Sequence, residues 1–266
     1  MVTVQTIADI LERIAPRRYA EDWDNPGLLV GRPDAEVRNI VVCLDVSADV
    51  IRQAVHEQAD LIVSHHPLLF HGQKAVRTDA PTGRLIALLI KHNIASFAAH
   101  TNLDIAAGGV NDVLASRIGL TTIEPFIPVP GSEGLSMGRM GRLASPMGLE
   151  DFAKQVKAAL PVTAIRYVKA ADRRVERVAL CSGSGAEFIG QAAAMGADVY
   201  VTGDVKYHDA QLAMGLGLDV IDAGHFGTEF PVVPVLAERL RAELAADGLD
   251  VPVLEDTQSQ DFFQTI

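Results

Sequence analysis

The sequence is poor in cysteine, aromatic residues and basic residues. Its 266 residues include two cysteines, and 5% are aromatic. Cys43 and Cys181 are too few for the disulfide framework of a secreted domain, so we predict buried thiols in a reducing compartment. Lys and Arg number 23 against 34 Asp and Glu, which gives a formal net charge of −11. This acidic balance disfavours nucleic-acid binding, which needs a basic surface that releases counterions.

Long hydrophobic runs are also lacking. The longest, at residues 85–90, is far shorter than the roughly 20 apolar residues of a membrane-spanning helix. Residues 1–5 have neither the basic start nor the apolar core of a secretory signal. We therefore expect a cytoplasmic protein with no membrane partner. The length and the 48% hydrophobic content suffice for one large domain or two of ordinary size.

Strand-like and helical segments alternate along the chain. Short apolar runs, typical of strands buried on both faces, lie at residues 40–44, 61–63, 94–98, 177–181, 198–202 and 218–222, with a further strand predicted at 162–168. Helical spacing is found at residues 5–15, 48–58, 82–92, 110–118, 149–160, 186–195 and 231–246. This alternation predicts an α/β fold with mixed, mainly parallel sheets. The turn-rich stretch that begins at residues 128–131 is a candidate domain boundary.

The chain repeats itself. Residues 40–64 align with residues 178–202 at a constant offset of 138, and the His-x3-carboxylate motifs that follow align at an offset of 125. Two unrelated α/β units share apolar patterns by chance, but the matched polar positions favour a duplication. We predict two similar α/β lobes, the first from residues 1–126 plus 223–266 and the second from residues 127–222.

Side chains that bind metal ions follow three of the predicted strands. In open α/β sheets, sites form beyond the carboxyl ends of strands, where these residues lie. The candidate ligands are His65, His66, His100, Asp104, His225 and Glu229. Four imidazoles and two carboxylates are too many for one tetrahedral ion and about right for two. We predict a dinuclear hydrolytic site for Zn²⁺, Fe²⁺, Mn²⁺ or Co²⁺.

Each motif taken alone has a simpler interpretation. His65 and His66 could bond backbone groups in a turn, and each His–carboxylate pair could be an exposed ion pair at a helix end. Recurrence of one spacing at equivalent repeat positions favours metal binding over these alternatives.

Two further segments remain open. Residues 203–208 occupy the repeat position of the double histidine and end in His208, so they could bind an anionic substrate or move protons. A polar surface loop is an equal alternative. Trp23, the single tryptophan, lies in the turn-rich residues 23–31 and is either a packing residue, the preferred interpretation, or part of a substrate rim.

The ordered motifs resemble the Nif-three-like family, commonly labelled the type 2 GTP cyclohydrolase I family. The resemblance is carried by residues 23–28, 64–67, 100–104, 202–204, 224–229 and 261–263, and only the Asp-Phe-Phe at 261–263 departs from an expected Asp-Pro-Phe. It implies two intertwined α/β repeats around a dinuclear metal centre, a toroidal homohexamer, and a short form without an inserted domain. By position it implies metal ligation by His65, His66, Asp104, His225 and Glu229, with Glu229 bridging and His100 a further metal-proximal residue.

We therefore hypothesise a hydrolase of a nucleotide-like small molecule, with two divalent metal ions per subunit. Opening of the GTP imidazole ring is the named candidate, with attack of an activated water on C8 and proton transfer by His100 or His208. The alternatives are a metal-dependent phosphoesterase and a non-catalytic metal-binding or protein-interaction protein. The sequence contains no purine-reading motif and no phosphate-loop pattern.

Overall fold

The computed structural model describes residues 1–129 and 134–266. Its strands are β1 (Gly27–Val30), β2 (Ile40–Cys43), β3 (Leu61–Ser64), β4 (Ala95–Ala98), β5 (Thr121–Pro128), β6 (Ser136–Met147), β7 (Arg166–Val168), β8 (Val175–Leu180), β9 (Val199–Thr202), β10 (Asp219–Asp222) and β11 (Val253–Glu255). Its α-helices are α1 (Val4–Ile14), α2 (Ala48–His56), α3 (Pro81–Lys91), α4 (Thr101–Ile105), α5 (Val110–Arg117), α6 (Leu149–Ala159), α7 (Ile189–Ala194), α8 (Tyr207–Leu216), α9 (His225–Glu229) and α10 (Val232–Ala246). Within these residues, no helix is both long enough and apolar enough to cross a membrane.

Helix α1 forms where apolar spacing and a capping residue agree. In α1, the hydroxyl of Thr3 accepts a hydrogen bond from the Thr6 N–H at 3.3 Å, which satisfies one of the unpaired donors of the first turn. Ile7, Ile10 and Ile14 then face the core. The predicted burial of the cysteines is also confirmed, and burial raises the pKa of the Cys43 thiol well above its usual range.

Unit 1 comprises residues 1–106 and 233–260. Its sheet has the strand order β1-β4-β3-β2-β11, with β1 antiparallel to β4 and the other pairs parallel. All residues of β2 and β3 are buried, as their continuous apolar runs require. Cys43 pairs with Ser64 and Ser64 with Ala98. The segments that follow these three strands therefore leave the sheet at one edge.

Unit 2 comprises residues 107–232 and 261–266. Its sheet has the order β5-β6-β8-β9-β10-β7, in which β8, β9 and β10 are parallel and the outer pairs are antiparallel. Thr202 pairs with Asp222, so the segments after β9 and β10 also leave the sheet together. One side of the core is built around Phe152 and the other around Phe126 and Tyr200. The two mixed sheets confirm the predicted α/β class.

The predicted repeat is confirmed by strand register. Ile40 pairs with Leu61, and the residues 138 positions later, Val178 and Val199, also pair. The order β1-β4-β3-β2 in unit 1 matches β7-β10-β9-β8 in unit 2, with the edge strand antiparallel and the other three strands parallel in both. These four strands of each sheet therefore share one topology.

The compact units divide at different residues from the predicted lobes of 1–126 plus 223–266 and 127–222. Residues 107–126 belong to unit 2, because α5 packs into the core of Phe152 and β5 pairs with β6. Residues 223–232, with α9, also belong to unit 2. The candidate boundary at 128–131 lies partly outside the described residues, since residues 130 and 131 are not among them. The strands on either side of it pair with each other, so no boundary falls between them.

Candidate metal centre

His65 and His66 are held in a turn that extends the sheet ladder beyond β3. The His65 N–H donates to the Cys43 carbonyl at 3.1 Å, and the His66 N–H donates to the Leu44 carbonyl at 2.9 Å. The Ser64 hydroxyl donates to the His66 carbonyl at 2.7 Å and closes the turn. Adjacent residues of a regular strand would point to opposite faces, and this turn instead allows both imidazoles to share one side.

His100 and Asp104 lie on the short helix α4 that follows β4. His100 is the N-cap residue, and its N–H donates to the side-chain oxygen of Asn102 at 2.8 Å. Asp104 is buried, with Oδ1 at 3.7 Å from His65 Nε2. One ring nitrogen each of His65, His66 and His100 lie within 4.8 Å of one another. Unit 1 thus brings together all four of the ligands that were predicted from its sequence.

The three clustered imidazoles, those of His65, His66 and His100, are each oriented through Nδ1. The Nδ1 atoms lie at 2.9 Å from the Ala99 carbonyl for His65, at 2.8 Å from Asp45 Oδ1 for His66, and at 2.7 Å from Asp24 Oδ1 for His100. A carbonyl or carboxylate at this position keeps a proton on Nδ1 and presents the Nε2 lone pair to a metal ion. Asp45, two residues beyond the end of β2, is not among the residues predicted from the sequence, and Asp24 is present there only as part of a motif.

Asp24 is the most strongly held of these orienting acids. Its carboxylate accepts from His100 Nδ1, from the Thr101 N–H at 3.0 Å and from the Thr101 hydroxyl at 2.6 Å. Burial raises its pKa, but the hydrogen bonds from His100 and Thr101 outweigh burial and hold the pKa at about 2. Asp24 is therefore ionised at neutral pH, and its carboxylate accepts the hydrogen bond from His100 Nδ1.

His225 and Glu229 form the corresponding set in unit 2. They open and close α9, with His225 Nε2 at 3.1 Å from Glu229 Oε2. His225 Nδ1 lies at 2.8 Å from Asp204 Oδ2, the same arrangement as His100 with Asp24. The Thr228 hydroxyl accepts from the Gly183 N–H at 2.9 Å and ties α9 to the end of β8. The spacing thus encodes a short helix that carries both ligands.

Gly183 keeps space open beside the two donors of unit 2. Its φ is +61°, and a Cβ at this position would clash with Glu229 Oε1 and lie 3.2 Å from His225 Nε2. Imidazole and carboxylate donors suit Zn²⁺, Fe²⁺, Mn²⁺ or Co²⁺. The donor chemistry and this open cradle therefore fit the metal ions that the sequence predicts.

His208 stands apart from these ligand sets in its described contacts. It is exposed on the first turn of α8, with Nδ1 at 3.3 Å from Gln211 Oε1 and its ring 5.4 Å from the ring of Tyr207. These contacts give no support to the predicted proton transfer by His208.

Other residues of the segment 203–208 lie beside a cavity. Lys206 and Tyr207 line a cavity of about 280 Å³ between α8 and the sheet edge. Arg166 and Asp222, which form an ion pair, lie on its other side. Together with the contact between Asp204 and His225, this supports the hypothesis of a functional corner in the second repeat.

Comparisons with known proteins agree with these motifs. The model of the Duf34/NIF3 (NGG1p interacting factor 3) family matches residues 2–261. The chain belongs to this family. A GTP cyclohydrolase 1 type 2 homolog of Clostridium perfringens (strain 13 / Type A) is 35% identical over 262 residues, which cover 98% of each chain.

Solved structures of the family share the fold. The crystal structure of a Bacillus cereus protein related to NIF3 superposes with a TM-score of 0.95 at 28% identity, over 100% of this chain and 99% of that one. Staphylococcus aureus protein SA1388 has a TM-score of 0.93 at 30% identity, with the same coverage. The family resemblance carried by the motifs is confirmed.

Proposed function

We propose that this chain of the Duf34/NIF3 family is a metal-dependent hydrolase of a nucleotide-like small molecule, and that it opens the imidazole ring of GTP. The observation that carries the proposal is the trio of imidazoles within 4.8 Å of one another, each oriented through Nδ1. Oriented rings of this kind are the usual preparation for metal binding. The name of the Clostridium perfringens relative supports GTP as the substrate to test first.

The proposed cofactors are two divalent metal ions per subunit. Their ligands would be His65, His66, His100 and Asp104 from unit 1, with His225 and Glu229 from unit 2. When bound, such ions lower the pKa of a coordinated water and stabilise negative charge that develops on the substrate. Asp104 and Glu229, both buried, would supply the negative charge that offsets the ions.

The side chains around the ligands have separate tasks in this proposal. Asp45, Asp24 and Asp204 hold protons on the Nδ1 atoms, so that the rings remain neutral donors at Nε2. His100 is the better placed of the two proposed proton carriers. When its Nε2 gains a proton, the ionised Asp24 stabilises the resulting imidazolium through Nδ1.

The decisive experiment is turnover by the metal-loaded protein. Ring opening adds water across the C8–N9 bond, and further hydrolysis releases C8 as formate. We expect formate from GTP with the wild type, and a loss of at least about 100-fold in kcat with Asp104→Asn, because a metal ligand matters more than an orienting partner. His56→Ala is the matched control, since His56 is exposed on α2 and should leave turnover unchanged.

Products other than formate would indicate a different activity. Free phosphate or nucleoside monophosphate, lost in the same variant, would replace ring opening by phosphoester hydrolysis. Absence of turnover with GTP, other nucleotides and phosphodiesters would overturn the hydrolase proposal and favour a non-catalytic metal-binding role.

A further inference from the structure

Two exposed aromatic rings stand beside the imidazoles of unit 1. Trp23 is 57% exposed and Phe70 is 38% exposed, although large aromatic side chains usually bury most of their surface. Their ring centroids are 5.7 Å apart. The His100 ring lies 6.2 Å from Trp23 and 6.0 Å from Phe70. The single tryptophan of an aromatic-poor chain thus lies beside a candidate metal ligand.

Hydrogen bonds from neighbouring side chains fix the two loops that carry these rings. Asp24, next to Trp23, is fixed by the bonds to His100 and Thr101. Asn25 donates from its side-chain amide to the Leu69 carbonyl at 2.6 Å, directly before Phe70. The two loops that carry the rings are therefore bonded to each other and to the histidine cluster. A surface ordered before binding loses little conformational entropy when a ligand arrives.

We propose that Trp23 and Phe70 form a stacking wall for the planar heterocyclic ring of the substrate. Aromatic faces attract flat π-systems, and base–aromatic stacking is effective without any base-reading motif, which this sequence lacks. The wall covers one side of His100 and leaves Trp23 accessible, so a ring stacked on Trp23 lies close to the imidazoles. This inference rests on the proposed function and deepens it by naming the side chains that would bind the purine ring.

The exposure of Trp23 argues against the packing role that its sequence context favours. A packing residue would be largely covered, whereas more than half of this side chain is open to solvent. Its contacts with Phe70 and His100 orient the ring and do not bury it. The substrate-rim alternative is the one that the geometry supports.

The single tryptophan makes the wall directly measurable. The metal-loaded wild type is titrated with guanosine, GTP and sodium tripolyphosphate while the tryptophan emission is followed. We expect saturable quenching by guanosine and GTP and none by tripolyphosphate, which has charge but no ring. Quenching by tripolyphosphate alone, or no response to guanosine or GTP, would overturn the proposal.

Variants separate stacking from general damage. Phe70→Ala should weaken guanosine binding, read by the same emission, by roughly 5- to 150-fold. Trp23→Ala should show a similar loss by calorimetry, and Trp23→Tyr should recover most of the affinity because it restores a ring. Phe262→Ala removes an exposed aromatic elsewhere and should bind like the wild type. If Phe70→Ala and Trp23→Ala both bind guanosine with wild-type affinity, the proposed stacking wall is contradicted.

The binding readout is independent of turnover. If GTP yields no formate but guanosine still quenches Trp23, the hydrolase proposal fails and the wall stands. If formate is released and Trp23→Ala leaves both KM and guanosine affinity unchanged, only the wall fails. A rise in KM at unchanged kcat in Phe70→Ala would support binding of the ring in the ground state.

Discussion

The strands β3 of unit 1 and β9 of unit 2 occupy equivalent places in the two repeats, yet the chain leaves them differently. His65 and His66 follow β3, whereas Gly203 and Asp204 follow β9. The unit 1 strand end provides two imidazoles directly. In unit 2 the strand end provides the acid that orients His225, and the candidate ligands come from α9.

The repeats also differ by one additional residue in unit 2. Ala98 and Asp222, which pair with equivalent residues of β3 and β9, are 124 positions apart, but His100 and His225 are 125 apart. The extra residue lies between β10 and α9, where Gly224 adopts a φ of +76°. A Cβ on Gly203 would lie 2.7 Å from Gly224 C and from His225 N. Backbone thus lies against Gly203, and a side chain at this position would have to displace it.

The largest effect is expected from Gly183→Ala. This change should disrupt metal binding by His225 and Glu229 and leave the candidate ligands of unit 1 intact. The new Cβ would clash with Glu229 Oε1, and the backbone would be held at a φ of +61°. We expect loss of about half of the bound metal and about 2 kcal/mol or more of stability. Metal analysis and denaturant unfolding measure the two. Gly190→Ala, on the open face of α7, is the control and should be neutral or slightly stabilising. Full metal content in Gly183→Ala would contradict the inference that Gly183 keeps space open for a metal ion.

A second comparison concerns the acids that orient His100 and His225. The Asp24 side chain is fully buried, whereas the Asp204 side chain is 43% exposed. We expect Asp24→Asn to weaken metal affinity by about 10- to 100-fold, and Asp204→Asn to weaken it less, because solvent can replace an exposed partner. Competition with a chelator gives both affinities. Equal losses of metal affinity in the two variants would show that burial of the orienting acid does not influence metal binding.

The effect of Asp24→Asn on the free energy of unfolding should depend on pH. The folded-state pKa of Asp24, about 2, lies below the usual 3.8. The stabilisation from its ionised form is therefore complete above about pH 4 and is lost as pH falls towards 2. The difference in unfolding free energy between wild type and Asp24→Asn should narrow across that window. A difference that stays constant from pH 5 to pH 2 would argue against the lowered pKa.

A smaller effect is expected from Gly203→Ala, which tests the backbone contact at the end of β9. Crowding against Gly224 and His225 should cost about 1–2 kcal/mol, measured by denaturant unfolding. Gly215→Ala on α8 meets open space and should be neutral or stabilising. If the two variants have the same stability, the backbone does not restrict a side chain at Gly203.

Much of this arrangement could be predicted from the sequence. Buried parallel strands have continuous apolar runs, so β2, β3, β9 and β10 were located, together with the ligand motifs at their ends. The repeat was visible because an ungapped offset preserves strand register. The orienting acids are harder to find, because Asp24 meets His100 only through a contact 76 residues away.

The missed elements have physical reasons too. The segment of β6 appeared turn-rich because of its glycines, but Gly138 and Gly141 lie inside a twelve-residue strand between β5 and β8. Helix α8 has apolar residues on all sides, including the exposed Leu212 and Met214, so it shows no amphipathic period. β11 has three residues, too few for a pattern. Periodicity identifies a helix only where its apolar residues lie on one face, and it needs more than three residues.

The central claim is that both repeats supply metal ligands. Elemental analysis of the purified protein after reconstitution with Zn²⁺, Mn²⁺, Fe²⁺ or Co²⁺ tests it most directly. The account predicts about two ions per chain in the wild type and in His56→Ala, and clearly fewer in both Asp104→Ala and Glu229→Ala. Wild-type metal content in a folded Asp104→Ala or a folded Glu229→Ala would contradict the account, because one repeat would then hold the ions alone.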